Sequence, residues 1–313
     1  MSVEIINQDR LKRVLVESVS INSVSGREQE ITNYFEDVLK DIGFRVQRQI
    51  IDEESGRANL FAEKGVGASV LFYGHMDTVP ITNPEKWKTD PFKPIEVDGN
   101  VFGLGASDMK AGVAAFIEAA TLSRSPIKIL LAVDEENISE GAWSAIAKRR
   151  DFFEGLGLVI SAESSFNLGL HSITTSRTGR CVYVVNFQGK PEHIIKYKDA
   201  IDAIEKLCKF GASLYANRET MFKSPDTVAQ IRKVQAESIG MSVCGNAYAI
   251  IEAILGASDS VESVRTKLQE MTDEKVEVQK RKTPYLEGYK FDDFPHRETI
   301  AKIIKTDTGK EMK

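Results

Sequence analysis

The sequence predicts an α/β protein that carries a smaller α+β insert. Apolar runs at 68–73, 127–133 and 156–161 each end in polar or acidic residues, as buried strands of a central sheet do. Between the first two lies 110–123, an alanine-rich stretch without proline that reads as a helix, so strand and helix alternate as in an α/β layer. From about residue 173 the pattern changes to alternating β-branched and polar residues with two further helical stretches, which marks the insert.

The elements follow in order. Leu11, Val14, Leu15 and Val19 recur at three- and four-residue spacings, an amphipathic helix that breaks at Ser23-Val24-Ser25-Gly26. Ile31, Tyr34, Phe35, Val38 and Leu39 form a second helix that stops near Gly43. Short β-like runs follow at 44–51 and 59–63, then the strongly apolar 68–73. In the insert, 181–187 reads as a strand, 199–215 as a helix, 226–255 as two strands and 261–271 as a helix. One last helix is expected at 297–305, where the chain returns to the first domain.

Bulk properties exclude some functions. Apolar residues make up 42% of the 313 and charged residues 28%, an ordinary globular balance. A net charge of -5 offers no basic footprint for nucleic acid and no attraction to an anionic membrane. No run approaches the ~18 apolar residues of a membrane span, and the first residues lack a signal-peptide pattern. Cys181, Cys208 and Cys244 form no CxxC and read as buried reduced thiols. A cytoplasmic protein is expected.

The chemistry gathers at strand ends. His75 and Asp77 are two apart, so on an extended chain they share a face and Asp77 can orient the imidazole of a metal-bound His75. Asp108 lies in a glycine-containing loop just before the 110–123 helix and can span two cations. Glu135 and Glu136 follow the second strand, so one can bind metal while its neighbour faces the water, and Glu163 follows the third. A histidine with several carboxylates suits zinc or a similar divalent ion. Each residue alone has a bland reading: a structural strand-end histidine, a helix N-cap at Asp108, a surface pair at Glu135-Glu136. The combination carries the argument, because each cluster sits at a strand end or a helix start.

The residues Gly74-His75-Met76-Asp77-Thr78-Val79-Pro80, Trp87-Lys88-Thr89-Asp90-Pro91-Phe92, the 98–110 segment ending Gly105-Ala106-Ser107-Asp108-Met109-Lys110, Asp134-Glu135-Glu136 and Ala162-Glu163-Ser164-Ser165 resemble the M20 metallopeptidases. That family includes acetylornithine deacetylase, succinyl-diaminopimelate desuccinylase, carboxypeptidase G2 and aminoacylase. The resemblance implies a zinc-peptidase-like catalytic domain at 1–173 and 288–313, with a mixed sheet flanked by helices, and an inserted dimerisation or lid domain at 174–287. It implies a cytoplasmic homodimer that hydrolyses the amide of an N-acyl amino acid or a C-terminal peptide bond. By motif, His75, Asp108 and Glu163 would hold one zinc, with cobalt or manganese as alternatives. Asp108 would bridge to a second ion held also by Glu136, Asp77 would orient His75, and Glu135 would be the general base. His193, in Gly189-Lys190-Pro191-Glu192-His193, matches a histidine that in some relatives reaches the partner subunit's site and stabilises the oxyanion. His171 reads as structural, following Leu170 on an apolar run.

Two departures follow. The family's last metal ligand is a histidine after a GPG-like strand, and the C-terminal segment bearing it is expected to be missing here. His296, in Phe294-Pro295-His296-Arg297, does not match that motif, so the Glu136 site is expected to lack one protein ligand. In the insert, Gly245-Asn246 is followed by Ala247-Tyr248-Ala249, and 253–255 occupies the place of a carboxylate-binding arginine, which leaves Arg177 or Arg180 as candidates. The alternative function is a metal-binding or scaffold homologue without catalysis.

Overall fold

The computed structural model describes residues 6–163, 169, 171–291 and 293–313. The chain folds into two compact units, residues 1–172 with 298–313 and residues 173–297. The return to the first unit thus comes at Glu298, later than the boundary at 288 expected from the sequence.

The first unit opens with helices α1 (Gln8–Ser20) and α2 (Gln29–Asp41). Asn7 caps α1 by accepting from the Arg10 amide, and Ile31, Phe35 and Leu39 bury one stripe of α2. Strands β1 (Arg45–Asp52), β2 (Arg57–Lys64) and β3 (Val70–His75) follow. Next comes a hairpin of β4 (Ile95–Val97) and β5 (Asn100–Phe102) that the sequence reading missed. Asp98 and Gly99 form its two-residue turn with φ of 50° and 74°, the left-handed conformation such turns require. Helix α3 (Ala111–Leu122) and strand β6 (Ile127–Ala132) lead to two more elements not foreseen, α4 (Glu140–Lys148) and α5 (Arg150–Phe153). Strand β7 (Leu158–Ser161) completes a five-stranded sheet in the order β1-β2-β6-β3-β7.

That sheet is mixed: β1, β2 and β6 pair antiparallel, whereas β3 pairs parallel to both β6 and β7. Period-two alternation divides its strands between two cores. Leu60, Ala62, Ile129 and Leu131 pack against α1, α2 and α3 through Val14, Phe35, Val113 and Ile117. Phe61, Leu71 and Leu130 face the other way, toward Ala145 and Phe152. Helices therefore cover both faces, and β3 and β6 end side by side at His75 and Ala132.

The second unit holds β8 (Ser176–Arg177), β9 (Gly179–Gln188), α6 (Ala203–Asn217), β10 (Val228–Ala236), β11 (Asn246–Leu255), α7 (Val261–Gln269), β12 (Val276–Val278) and β13 (Tyr289–Lys290). Its main sheet is antiparallel in the order β10-β11-β9-β12. Tyr183, Val185 and Phe187 of β9 and Ala249, Ile251 and Ala253 of β11 bury one face against Phe210, Leu214, Val264 and Leu268. Helix α8 (Arg297–Thr308) follows. All three cysteines are free thiols, but Cys208 is exposed on α6, which corrects the expectation that all three are buried. Among the described residues no helix is long and apolar enough to cross a membrane.

Candidate metal centre

The parallel strand ends place the chemistry. His75 is the last residue of β3 and is 1% exposed, with its ring at the sheet's carboxyl edge. Its Nδ1 lies 3.0 Å from the carbonyl oxygen of Asp77 and 3.5 Å from the carboxylate Oδ1 of the same residue. A proton on Nδ1 satisfies that pair and turns Nε2 outward. Nε2 stands 3.1 Å from Asp108 Oδ1 and 3.8 Å from Glu163 Oε1.

Asp108 comes from an irregular turn, Ala106–Lys110, that precedes α3, and its peptide bond to Met109 is cis. No side chain caps α3, so the helix-cap reading of Asp108 does not hold. Lys110 secures the turn from beneath: its Nζ is buried and donates to the carbonyls of Ser18 (2.8 Å) and Ile21 (3.2 Å) at the end of α1. Burial lowers the Lys110 pKa to about 7, against the opposing pull of Asp77.

Glu163 follows β7. His75, Asp108 and Glu163 offer ligand atoms that all lie within 4.8 Å of one another. Glu135 and Glu136 are anchored through the main chain, their amides donating to Asp77 Oδ1 (3.0 Å) and Oδ2 (3.1 Å). Ser25 Oγ gives Oδ2 a further bond at 2.7 Å. Asp77 is thus fully buried yet satisfied, and although burial opposes ionisation its bonds to His75 and Ser25 hold its pKa below the usual value.

The electrostatics show an excess of acid. Burial, then the neighbouring Asp108 charge, raise Glu136 to about 7. Burial raises Glu163 to about 7 as well, with His75 opposing and Asp108 and Glu135 adding to the rise. Burial disfavours the charged form of His75, yet its bonds with Asp108 and Asp77 outweigh that and push it to about 11. One imidazole cannot balance this many carboxylates. One nitrogen and several hard oxygens converging on a point are the donor set of a divalent cation, so the residues fit one.

The three-residue group does not include the remaining candidates. Glu136 couples electrostatically to Asp108 but does not belong to the three-residue group. His193 belongs to the second unit, where its Nδ1 accepts from the Ile195 amide at 3.3 Å. Arg180 is committed to Glu252 at 2.6 Å, while Arg177 is exposed on β8. His296 is exposed with a φ of 66°, and the carbonyl of His171 accepts from the Lys313 amide. Ser164, Ser165 and Leu170 lie outside the described residues. A cleft of about 540 Å³ reaches Ala106 and Ser107, beside Asp108, and is lined by Lys86, Trp87, Lys88 and Phe102. Ser25, Glu28, Arg57 and Lys110 carry no signal in the sequence, because nothing local to each of them indicates its distant partner.

With this geometry in view, the family model described as peptidase family M20/M25/M40 matches residues 71–311. The chain belongs to that family. Among curated relatives, a probable succinyl-diaminopimelate desuccinylase of Staphylococcus epidermidis is 27% identical over 275 residues, which is 83% of this chain and 66% of the relative. A succinyl-diaminopimelate desuccinylase of Buchnera aphidicola is 29% identical over 232 residues, which is 70% of this chain and 60% of the relative. The chain therefore spans less than two thirds of the length of these relatives. Among solved structures, an M20 metallo-carboxypeptidase from Sulfolobus solfataricus superposes with a TM-score of 0.79 at 16% identity, covering 97% of this chain and 85% of that one. Aminopeptidase PepT from Bacillus cereus gives a TM-score of 0.72 at 22% identity, covering 98% and 84%. A dinuclear metal-binding M20 peptidase from Bacillus subtilis gives 0.67 at 15%, covering 97% and 81%. These likenesses show that the mixed α/β architecture is the M20 fold.

Proposed function

We propose that this chain is a metal-dependent amidohydrolase that cleaves an N-acyl amino acid or the C-terminal amide bond of a peptide. The observation that carries the reading is the convergence of His75, Asp108 and Glu163 within 4.8 Å around a histidine held by Asp77. A zinc, cobalt or manganese ion bound there supplies a Lewis acid that polarises the scissile carbonyl and acidifies water. His75 Nε2 and the carboxylates of Asp108 and Glu163 would hold it, and Glu136 with Asp108 would serve a second ion. Asp77 fixes the His75 ring. Glu135 takes a proton from the attacking water on its carboxylate and delivers it to the leaving nitrogen. His193 is assigned to the oxyanion, reached from a partner subunit in a homodimer formed through the second unit, and the setting is the cytoplasm.

The names of the relatives and the lining of the cleft support a substrate class to test first. Curated relatives named as desuccinylases make N-succinyl amino acids the first compounds to assay. A succinyl group carries a carboxylate, and Lys86 and Lys88 on the cleft offer it counter-charge. The test is metal content per chain by elemental analysis, with hydrolysis of N-acetyl and N-succinyl amino acids in added Zn²⁺ or Co²⁺. Glu135→Gln is expected to lower kcat by roughly 10²–10⁴-fold while metal content stays constant. Unchanged turnover removes the general-base assignment. Cation binding with no turnover of any compound by the unaltered chain assigns the non-catalytic alternative.

A further inference from the structure

Arg57, Glu28 and Asp134 are all buried, at 8%, 0% and 3% exposure, and none of them belongs to the cluster described above. Arg57 Nε and Nη2 donate to Glu28 Oε2 (2.8 Å) and Oε1 (3.1 Å), and Nη2 donates also to Asp134 Oδ1 (3.0 Å). Taking three charges out of water is costly even when they are paired, so such a triad is a poor device for stability alone. Its connections indicate a use.

On one side, Glu28 Oε2 accepts from the Gly26 amide at 2.8 Å, which ties Arg57 to the 23–28 loop. That loop pairs with the chain leaving β3: the Thr78 amide donates to Ser23, the Ser25 amide to Thr78, and Ser25 Oγ to Asp77 Oδ2. On the other side, Asp134 holds its own turn, with Oδ2 accepting from the amides of Ile138 (3.3 Å) and Glu140 (3.1 Å) at a φ of 65°. The next two amides along, those of Glu135 and Glu136, are the ones that donate to Asp77. The bonds close a ring that runs Arg57, Glu28, Gly26-Ser25, Asp77, Glu135-Asp134 and back to Arg57. In the order of bonds Asp77 is as far from the guanidinium as the ring allows, and among the described residues the neutral donors to its carboxylate come from segments that Arg57 grips.

We propose that Arg57 is a positioning residue for the metal centre: its guanidinium clamps the Ser25–Glu28 loop to the Asp134 turn, and this fixes Asp77, and through it His75 and the Glu135-Glu136 pair. The planar fork is the reason for arginine, since it meets Glu28 with two bonds and still reaches Asp134. A lysine in its place has one ammonium and cannot hold both carboxylates in that geometry. The inference rests on the metal reading of His75, Asp108 and Glu163.

The test compares the unaltered chain with Arg57→Met and Arg57→Lys by three readouts. These are Co²⁺ titration followed by its visible absorption, hydrogen exchange at the Glu135 and Glu136 amides, and thermal unfolding. The expected result is a loss of Co²⁺ affinity of about 10–100-fold in both variants, the range for groups that orient ligands. Exchange at Glu135 and Glu136 should quicken while the amides of β2 and β6 keep their protection. Arg57→Lys, which keeps a buried positive charge beside the two carboxylates, should recover thermal stability but not Co²⁺ affinity. Recovery of affinity together with stability would make Arg57 a structural residue only and overturn the proposal, as would Co²⁺ binding equal to the unaltered chain in either variant. If the unaltered chain takes up no Co²⁺, the metal reading itself fails and this inference falls with it.

Discussion

Glycine 112 shows how little room the centre leaves. It is buried in α3, and a Cβ there would lie 2.4 Å from the carbonyl oxygen of Ala162 and 3.1 Å from its carbonyl carbon. Main chain cannot swing aside as a side-chain tip can, so the added methyl must push the residue that precedes Glu163. Gly112→Ala is therefore expected to cost roughly 1–3 kcal/mol, the usual range for overpacking, and to weaken cation binding. Gly74 is the control: its Cβ would meet the flexible end of Met109 and a methyl of Val113 at 3.1–3.2 Å, side chains that can adjust. Chemical denaturation and Co²⁺ titration of the two alanine variants check this. Equal cation affinity in Gly112→Ala and the unaltered chain would show that Glu163 is not held through this contact.

At the level of elements, the start of α7 is stapled to the loop before β10 by one carboxylate. Asp259 accepts from the amides of Ser224 (2.7 Å) and Lys223 (3.3 Å) and from the hydroxyls of Thr227 (2.9 Å) and Ser263 (3.2 Å). Burial opposes its charge, but these bonds outweigh it and hold its pKa below the usual 3.8. For an acid whose folded pKa is depressed, the stabilisation is complete well above 3.8 and disappears as pH falls below that value through the folded pKa. Asp259→Asn is expected to destabilise the second unit by roughly 1–3 kcal/mol at neutral pH. It should also flatten the loss of stability on acidification below pH 4. Urea melts between pH 3 and 7 measure both, and an unchanged acid limb in the variant would remove Asp259 as its source. The neighbouring Ser260 completes a capping box with Ser263, so the same turn carries two separate devices for starting α7.

For the whole molecule, the consequence of two units is two cores with different neighbours. The first is divided between the faces of a mixed sheet, and the second lies on one face of an antiparallel sheet under α6 and α7. Ile251, at the centre of β11, is fully buried. Ile251→Ala is expected to cost about 2–5 kcal/mol through lost burial and the cavity left behind. Hydrogen exchange should quicken across β9, β10 and β11 while β2, β3 and β6 keep their protection. Equal loss of protection in both sets of strands would show that the chain opens as one cooperative body instead.

Much of this was legible from residue order. Apolar runs separated by helical periodicity carried the sheet and its flanking helices, because burial on a strand or helix repeats at a short, fixed interval. The positions of His75, Asp108 and Glu163 were legible for a related reason: each ends or follows a strand or precedes a helix, and parallel strands bring their carboxyl ends to one edge. The short α4 and the β4–β5 hairpin were missed because they bury few residues and so leave a weak periodic trace. The ring around Asp77 was beyond reach for another reason. Its bonds join residues 29, 77, 52 and 58 positions apart, at Arg57–Glu28, Arg57–Asp134, Ser25–Asp77 and Asp77–Glu135. Local pattern records which side chain faces a core, but not which distant polar group it will meet there. Only the folding of β2, β3 and β6 into neighbouring strands decided that a loop serine and the turn after β6 would meet at one carboxylate, with a buried arginine holding both segments.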